Sequence, residues 1–432
     1  MHSKKHLSFP ALRKTISKRL EQIEDPRRGK VTDALHDCFM SAFAMMFLQD
    51  PSLLQFQLRL QDGLQRNNLT NLFHVGTIPK DSQLRDLLDV ADNDPLYKLF
   101  ADSLNILQRS RYLDLFQFLD TGYLLAIDGS QYFGSEKLHC PKCLVKTSTK
   151  GAVRYEHQIL QSVIVCPGIR EVIPMAPEPI ENTDGTQKQD CEINAAKRLI
   201  KKLRITHPKL KLVVTGDDLY SKQPFIDTLK HARISFILVA KPSDHKTLFA
   251  EFEDLKGFKA TQSYRLTEPK DRCHLYEWVN GIPLNGSKDA DNVNFFQYSL
   301  MVKGKRTYHN SWITNMPVTD NNVTKLVKAG RARWKIENEC FNTLKNQGYH
   351  IEHNFGHGNN NPSMTFFLLN LLAFLVHQIL QLTDRLYQKC RKGFSSRIEF
   401  WNQLRCTLRV MTFNDFDHLL NKIIDPLNVR PP

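Results

Sequence analysis

The chain has 432 residues, 41% of them hydrophobic, so it is long enough for two or three domains with a sizeable buried core. Lysine and arginine outnumber aspartate and glutamate by 59 to 45, and the net charge of +14 favours a nucleic acid over a membrane as partner. Nine scattered cysteines and the lack of an apolar leader after Met1 argue against a disulfide-rich secreted protein and predict a reducing cytoplasm.

Residues 1–119 are predicted to form an all-α domain. Prolines in Asp25-Pro26 and Asp50-Pro51 mark helix ends, because the residue before proline avoids the α region. Basic residues recur through this domain and predict binding to DNA ends, although for each one taken singly a solvated helix face is the more common role. These residues are Lys14, Lys18, Arg19, Arg27, Arg28 and Lys30.

Residues 120–249 are predicted to form the first part of an α/β core. Three strands in a meander, followed by alternating helices and strands, describe a mixed sheet with flanking helices. The apolar runs predict strands at 122–128, near 157–166 and 170–175, at 210–216 and at 234–240, helices at about 188–204 and 222–232, and a polar loop at 129–155.

The rest of the chain is predicted to form three further segments. Alternating polar and apolar residues in 250–320 indicate an inserted antiparallel β-subdomain. Residues 321–385 would complete the core with a long helix from about 322 to 346, interrupted or bent near Gly330, and with an apolar helix at 364–383. We interpret the apolar helix as a buried core helix rather than a membrane span. Residues 386–432 read as a basic helical tail without an assigned role.

Three acidic residues stand where folding could bring them together. Asp128 ends the apolar run 123–127, Asp217 follows the run 212–216, and Glu337 lies in the predicted long helix. Aspartates also end strands and begin turns without a catalytic role, so each residue alone is weak evidence. Together, three such carboxylates could hold two divalent metal ions about 3.5–4 Å apart and promote in-line attack on a phosphodiester.

The segments around these carboxylates resemble the DDE transposases of bacterial insertion sequences, in particular the insertion sequence four type with a Y-R-E-K signature. The resemblance extends from about 72 to 377 and is carried by Ile127-Asp128-Gly129-Ser130, Gly216-Asp217-Asp218-Leu219-Tyr220 and Arg333-Trp334-Lys335-Ile336-Glu337. It implies a ribonuclease H-like core in which Asp128, Asp217 and Glu337 bind metal and catalyse DNA cleavage and strand transfer.

The resemblance also implies cofactors and partners. The cofactor would be Mg²⁺, two ions, for which Mn²⁺ can substitute. The partners would be double-stranded DNA, both the terminal inverted repeats of the element and the target DNA, and a second copy of the chain in a homodimer on the DNA. The expected location is the bacterial cytoplasm, in association with the nucleoid, and no membrane partner is expected.

Four residues are expected to contact DNA on the strength of the resemblance. Arg333 would hold the scissile strand, with Lys335 and Lys345 beside it, because a planar guanidinium can grip phosphate bidentately. The alternative for Arg333 is a salt bridge to Glu337, one helical turn away. Trp312 would stack on a flipped DNA base or, equally, fill the core at a strand end.

The chain departs from the family signature at two positions. Gly330 stands where the family has its tyrosine, and Leu344 stands where it has its lysine, with Lys345 one place further on. Two neighbouring residues also compete for the catalytic positions. Asp218 is the alternative to Asp217 in the second motif, and Glu339 is the alternative to Glu337 in the helix.

A separate motif predicts a second metal. Cys140 and Cys143 form a C-x2-C pair, and His157 follows on the next predicted strand, so two thiolates and an imidazole could hold a structural Zn²⁺. The spacing lacks a fourth ligand, and two unliganded thiols in a loop are the alternative. His353 and His357 show no metal spacing and are expected to be structural or to face DNA.

Three functions remain open on the sequence alone. The first is a transposase, and the second is a transposase-derived DNA-binding protein without catalytic activity, which the changed tyrosine and lysine positions allow. The third is a ribonuclease or repair nuclease on a similar core, which would explain the metals but not the β-insertion.

Overall fold

A sheet of twelve strands runs through the middle of the chain in a computed structural model that describes residues 6–28, 31, 33–60, 62–118, 122–182 and 189–427. Lys30, the predicted boundary at 119–120, the predicted helix start at 188 and the end of the tail at 428–432 lie outside the described residues.

The strands follow the apolar runs of the sequence. They are β1 (Gln117–Phe118), β2 (Gly122–Ser135), β3 (Leu144–Thr147), β4 (Val153–Cys166), β5 (Ile169–Pro174), β6 (Glu178–Ile180), β7 (Leu212–Gly216), β8 (Ser235–Val239), β9 (Gln262–Glu268), β10 (Arg272–Pro283), β11 (Asn292–Val302) and β12 (Lys305–Thr314). The main order across the sheet is β3-β4-β2-β7-β8-β12-β11-β10-β9, with β5 and β6 paired to β4 and β1 paired to β2.

The sheet is mixed, as predicted. β7 pairs in parallel with β2 and with β8, and the other pairings of the described strands are antiparallel. All five residues of β7 are buried, because a parallel strand in the middle of a sheet is covered on both faces and must be apolar throughout. The mixed α/β architecture predicted from the sequence is therefore present, and its ribonuclease H-like character stays a prediction.

Fifteen α-helices are found in the described residues. They are α1 (Phe9–Leu20), α2 (Leu35–Phe47), α3 (Leu53–Leu60), α4 (Gly63–Phe73), α5 (Asp81–Val90), α6 (Asp94–Arg109), α7 (Glu192–Thr206), α8 (Gln223–His231), α9 (Lys246–Gly257), α10 (Val323–Arg331), α11 (Asn342–Asn346), α12 (Pro362–Thr383), α13 (Arg385–Lys392), α14 (Arg397–Val410) and α15 (Phe416–Leu427). Short 3₁₀ turns cover Leu113–Phe116 and Asp218–Tyr220, and a π-helical turn covers Ile336–Phe341.

Three predicted ranges of secondary structure were wrong. The strand predicted at 122–128 continues to Ser135, and the loop predicted at 129–155 contains β3, because antiparallel pairing with β4 extends both strands. The start of the predicted β-subdomain is the helix α9. The interruption or bend that was predicted near Gly330 in the helix of 322–346 is confirmed, because α10 ends at Arg331 and the chain continues as the π-helical turn and α11.

The predicted β-insertion extends the central sheet. Its last strand, β12, pairs antiparallel with β8 through Trp312↔Val239, Ile313↔Leu238 and Thr314↔Ile237. The four strands β9 to β12 therefore continue the hydrogen bonding of the core. The last of them, β12, is followed in the chain by α10.

The helical parts at the two ends of the chain share one apolar core around α12. This helix is long and apolar enough to span a membrane, but 94% of its most apolar window is buried inside the fold, which is what the core-helix interpretation predicts. The Phe47 ring of α2 lies 4.5 Å from the His377 ring of α12, and the Phe9 ring lies 4.5 Å from that of Phe416. The leading helices are thus packed against the tail, while the division into five domains stays a prediction.

Candidate active site

The strand register places Asp128 and Asp217 side by side. Ala126 of β2 is the parallel partner of Thr215 of β7, and each aspartate follows two residues later. Side chains two residues apart in extended chain point to the same face, and neighbouring strands lie about 4.7–4.9 Å apart. The two carboxylates therefore stand next to each other on one face, where β7 ends.

The sequence had suggested that Asp128 ends its strand, but the strand continues beyond it to Ser135. The aspartate lies within β2, opposite Gln161 of β4, at the point where β2 loses β7 as its neighbour. Because the pairing with β7 ends before this point, one side of Asp128 is open and its side chain is 19% exposed. Its backbone is nevertheless held by the pairing of β2 with β4. A carboxylate fixed on a strand in this way is more rigid than one on a loop.

Glu337 reaches this pair from the π-helical turn. Ile336 and Cys340 of the turn are buried in the core, whereas the Glu337 side chain is 49% exposed. Single π-helical turns are frequent at functional sites, because the extra residue reorients the side chains that follow. The rival Glu339 points elsewhere and forms an ion pair of 3.2 Å with Arg170.

Arg333 connects the helix to the sheet. Its guanidinium donates a 2.7 Å hydrogen bond to Glu337 and lies 3.8 Å from the carboxylate of Asp128. The salt bridge considered as the alternative for Arg333 is therefore present. The same nitrogen also faces the aspartate on the sheet, so one cation lies between two of the three predicted metal ligands.

The site carries more negative charge than Arg333 neutralises. The pKa of Asp128 is raised to about 7, chiefly by burial, with the nearby charges of Asp217, Glu192 and Glu337 adding to the rise and Arg333 opposing it. Burial also raises the pKa of Asp217, which Arg333 and Lys241 oppose. Three carboxylates that raise the pKa of Asp128 are negative charges close to it, and a divalent cation would relieve their repulsion, so these residues fit a Mg²⁺ site.

The choice between Asp217 and Asp218 is supported by their partners. Asp217 accepts a 3.0 Å hydrogen bond from the Leu219 backbone amide and so begins the 3₁₀ turn that follows β7. Asp218 is held by an ion pair of 2.7 Å to Lys241. The carboxylate that acts on Asp128 is that of Asp217.

Glu192 is a fourth carboxylate of the site that the sequence reasoning missed. It is the first residue of α7, accepts a hydrogen bond from the Tyr220 hydroxyl, and lies so close to Gly129 that a Cβ there would collide with it. Burial is the main cause that raises its pKa, and Asp217 adds to the effect. The available signal was the glycine directly after Asp128, which marks a close approach of another group.

The other predicted DNA-binding residues are not brought to this site by any described contact. Lys335 is buried and donates a 2.8 Å hydrogen bond to the Ile169 carbonyl, and Lys345 forms a 2.8 Å ion pair with Glu352. Trp312 is fully buried, which agrees with the core role that was its alternative. The exposed tryptophan next to Arg333 is Trp334, with 44% of its surface accessible.

Two further groups of residues flagged by the sequence have a defined place. Cys140, Cys143 and His157 come together, and His357, for which no metal role had been expected, joins them.

A groove of about 1000 Å³ between α1 and α6 is lined by the basic residues Lys14, Lys18, Arg19 and Arg109. Arg19 is held there by Asp102 at 2.7 Å.

Comparison with models of protein families identifies part of the chain. Residues 174–375, slightly less than half of the chain, match the family model described as a transposase DDE domain. The match includes Asp217 and Glu337, and Asp128 lies before it. It supports a DDE transposase. No curated protein matches the chain.

Proposed function

We propose that this protein is a DDE transposase of the insertion sequence four type that cleaves the ends of an insertion sequence and joins them to target DNA. The observation that carries the proposal is the register of β2 and β7, which aligns Asp128 with Asp217, together with Glu337 held beside Asp128 through Arg333. Three carboxylates from separate segments around one point are the ligand set of a metal-dependent phosphoryl-transfer site.

Asp128, Asp217 and Glu337 would hold two Mg²⁺ ions, and Mn²⁺ would substitute for them. When bound, the ions would activate water or a DNA 3′-hydroxyl and stabilise the leaving 3′-oxygen. The protein residues supply rigid positions for the carboxylates, since two of them are fixed by the sheet. A preorganised set of ligands is needed because both oxygens of an in-line displacement must be held at once.

Arg333 would change partners during the reaction. Its guanidinium is paired with Glu337 and faces Asp128, and a bound cation would take over the neutralisation of these carboxylates. The released guanidinium can then grip a phosphate of the scissile strand with two parallel hydrogen bonds, which a lysine cannot do. This sequence of contacts would couple DNA binding to metal binding.

Double-stranded DNA would be bound through its phosphates. The chain carries a net charge of +14, and the groove between α1 and α6 offers Lys14, Lys18 and Arg109 as phosphate contacts. We propose that this groove takes part in binding the terminal inverted repeats, and that the protein acts as a homodimer on DNA in the bacterial cytoplasm. The alternative of a DNA-binding protein without catalytic activity is not favoured, because the carboxylates are all present.

Single-turnover cleavage of a labelled element end tests the proposal. We expect Mg²⁺-dependent nicking that stops in excess chelator, followed by joining of the new 3′-hydroxyl to target DNA. Nicking without joining would favour the repair nuclease, and binding without nicking would favour the non-catalytic protein. Because phosphate contacts release counterions, binding should also weaken with salt, at a slope of about −0.9 per contact in a plot of log K against log salt.

A further inference from the structure

Four buried side chains with metal-binding atoms converge at one point away from the carboxylates. Cys140 and Cys143 lie in the turn between β2 and β3, His157 lies on β4, and His357 lies in the loop that leads into α12. Their ligand atoms all lie within 4.8 Å of one another, and all four residues are buried. His157 and His357 are 200 residues apart in the chain, so the fold alone brings the set together.

The distances between these atoms are those of a tetrahedron around zinc. Zinc–sulfur bonds of about 2.3 Å and zinc–nitrogen bonds of about 2.0–2.1 Å place two sulfurs about 3.8 Å apart, two nitrogens about 3.3–3.4 Å apart and a mixed pair about 3.6 Å apart. The two sulfurs are 3.8 Å apart and the two Nε2 atoms 3.2 Å apart. The mixed pairs measure 3.5 Å for Cys140 with His157, 3.4 Å for Cys143 with His157 and 3.6 Å for Cys143 with His357.

Neither a disulfide nor simple hydrogen bonding accounts for this arrangement. A disulfide would bring the sulfurs to about 2.05 Å, far less than the 3.8 Å between Cys140 and Cys143. The Nε2 atom of His157 faces both sulfurs and the other imidazole at once, although it can carry only one hydrogen. Atoms that converge on one point in this way are arranged to bind a common metal ion rather than to form separate pairs.

The surroundings orient the ligands. The Nδ1–H of His357 donates a 2.9 Å hydrogen bond to the Gly358 carbonyl, which leaves the lone pair of Nε2 free to face the centre. The backbone amide of Cys140 donates to the sulfur of Cys143 at 3.4 Å. The Phe133 ring lies 4.5 Å from that of His357 and closes one side of the site. The site is therefore shielded, and the tautomer of His357 is fixed.

We propose that Cys140, Cys143, His157 and His357 bind one structural Zn²⁺ ion. Two thiolates and two imidazoles form a closed four-ligand set, and such a set leaves no position for a substrate. The ion would fasten the β2–β3 turn and β4 to the loop after α11, where Lys142 also donates a 3.0 Å hydrogen bond to Asn361. It would thus fix the path of the chain between the Glu337 segment and α12, and it does not depend on the function proposed above.

Metal analysis of the full-length protein tests this site directly. Protein purified from zinc-supplemented cultures should contain one equivalent of zinc, and Cys143→Ser and His357→Ala should lower the content at least tenfold. Cys191→Ser, at an exposed cysteine, is the matched control and should keep its zinc. Asp128→Asn should also keep it, which separates this site from the carboxylates.

A spectroscopic measurement covers the case in which the variants fail to fold. Reconstitution of wild-type protein with Co²⁺ should give the visible absorption of tetrahedral cobalt with thiolate ligands, and zinc should remove it. The proposal would be overturned if the purified protein contained no zinc and also gave no such spectrum with Co²⁺. Full zinc content in Cys143→Ser and His357→Ala would overturn it as well.

Discussion

Gly330 packs directly against the indole ring of Trp312. A Cβ at position 330 would lie 2.6 Å from the indole Nε1, and Trp312 is itself fully buried and stacked on Phe296 at 5.3 Å. The tryptophan thus occupies the space next to the helix at the position where the resembled family has a tyrosine. The departure from the signature at this position has a steric reason.

Gly330→Ala should therefore destabilise the protein. Overpacking against an immobile ring costs about 1–3 kcal/mol, which exceeds the gain of about 0.5–1 kcal/mol that alanine usually gives over glycine in a helix. Urea unfolding measures the difference. Gly257→Ala, at the end of α9 with nothing within 4 Å, is the control and should be neutral or stabilising. Equal stability of Gly330→Ala and wild type would contradict the packing argument.

Neutral substitutions of the three carboxylates should abolish cleavage. Asp128→Asn, Asp217→Asn and Glu337→Gln each remove a charged metal ligand, so we expect rates at least about a thousandfold lower, with DNA binding retained. Single-turnover cleavage and a binding assay give the two quantities. The matched controls are Asp218→Asn and Glu339→Gln, whose partners are Lys241 and Arg170. Loss of activity in a control but not in its neighbour would move the site by one or two residues.

The metal-free protein should lose stability as the pH rises towards neutrality. The folded pKa of Asp128 is about 7 against an ordinary 3.8, so the folded state holds this proton more tightly than the unfolded chain. Its stabilising contribution is complete below about pH 4 and is lost as the pH rises to about 7. Asp128→Asn should reduce this dependence, because Asp217 and Glu192 with raised pKa values remain, and should stabilise the metal-free protein at pH 8 by about 1–3 kcal/mol. Thermal unfolding at pH 5 and pH 8 in chelator measures it, and a destabilised variant at pH 8 would refute it.

Arg333→Lys should impair cleavage although the charge is kept. Lysine cannot form the two parallel hydrogen bonds of a guanidinium, and we expect a loss of more than about tenfold, or about 1.4 kcal/mol of activation free energy. Lys345→Ala should have a small effect, since this lysine is paired with Glu352. Lys335→Ala is the third variant, and it would leave the Ile169 carbonyl without its buried donor. The stability of each variant is therefore measured alongside its cleavage rate. Equal and small effects at Arg333 and Lys345 would mean that DNA is held elsewhere.

Glu192→Gln should weaken the response to metal rather than the fold. The amide oxygen can still accept the Tyr220 hydroxyl, but one negative charge next to Asp128 and Asp217 is gone. We expect the Mg²⁺ concentration for half-maximal cleavage to rise by about 3–10-fold, which corresponds to about 0.7–1.4 kcal/mol. Glu253→Gln, on the exposed face of α9, is the control. An unchanged Mg²⁺ dependence would assign Glu192 a purely structural role.

Local sequence patterns were sufficient for the parts of the site that sit on regular elements. The apolar runs before Asp128 and Asp217 predicted two strands, and the sequence around Glu337 predicted a helix. These inferences work because strand and helix patterns depend on residues close in the chain. The burial of α12 followed in the same way from its length and composition.

Only the tertiary structure decided which side chains meet and which face inward. His357 and Glu192 join their clusters through strand pairing and loop paths that no local spacing encodes. Lys335 lies within the Glu337 motif and Trp312 lies on β12, yet both are buried, since Lys335 donates to the Ile169 carbonyl and Trp312 packs against Gly330. Likewise, the contacts of Phe9 with Phe416 and Phe47 with His377 tie the leading helices to the tail. The physical reason is that burial depends on contacts between residues far apart in the chain, which a sequence pattern constrains only weakly.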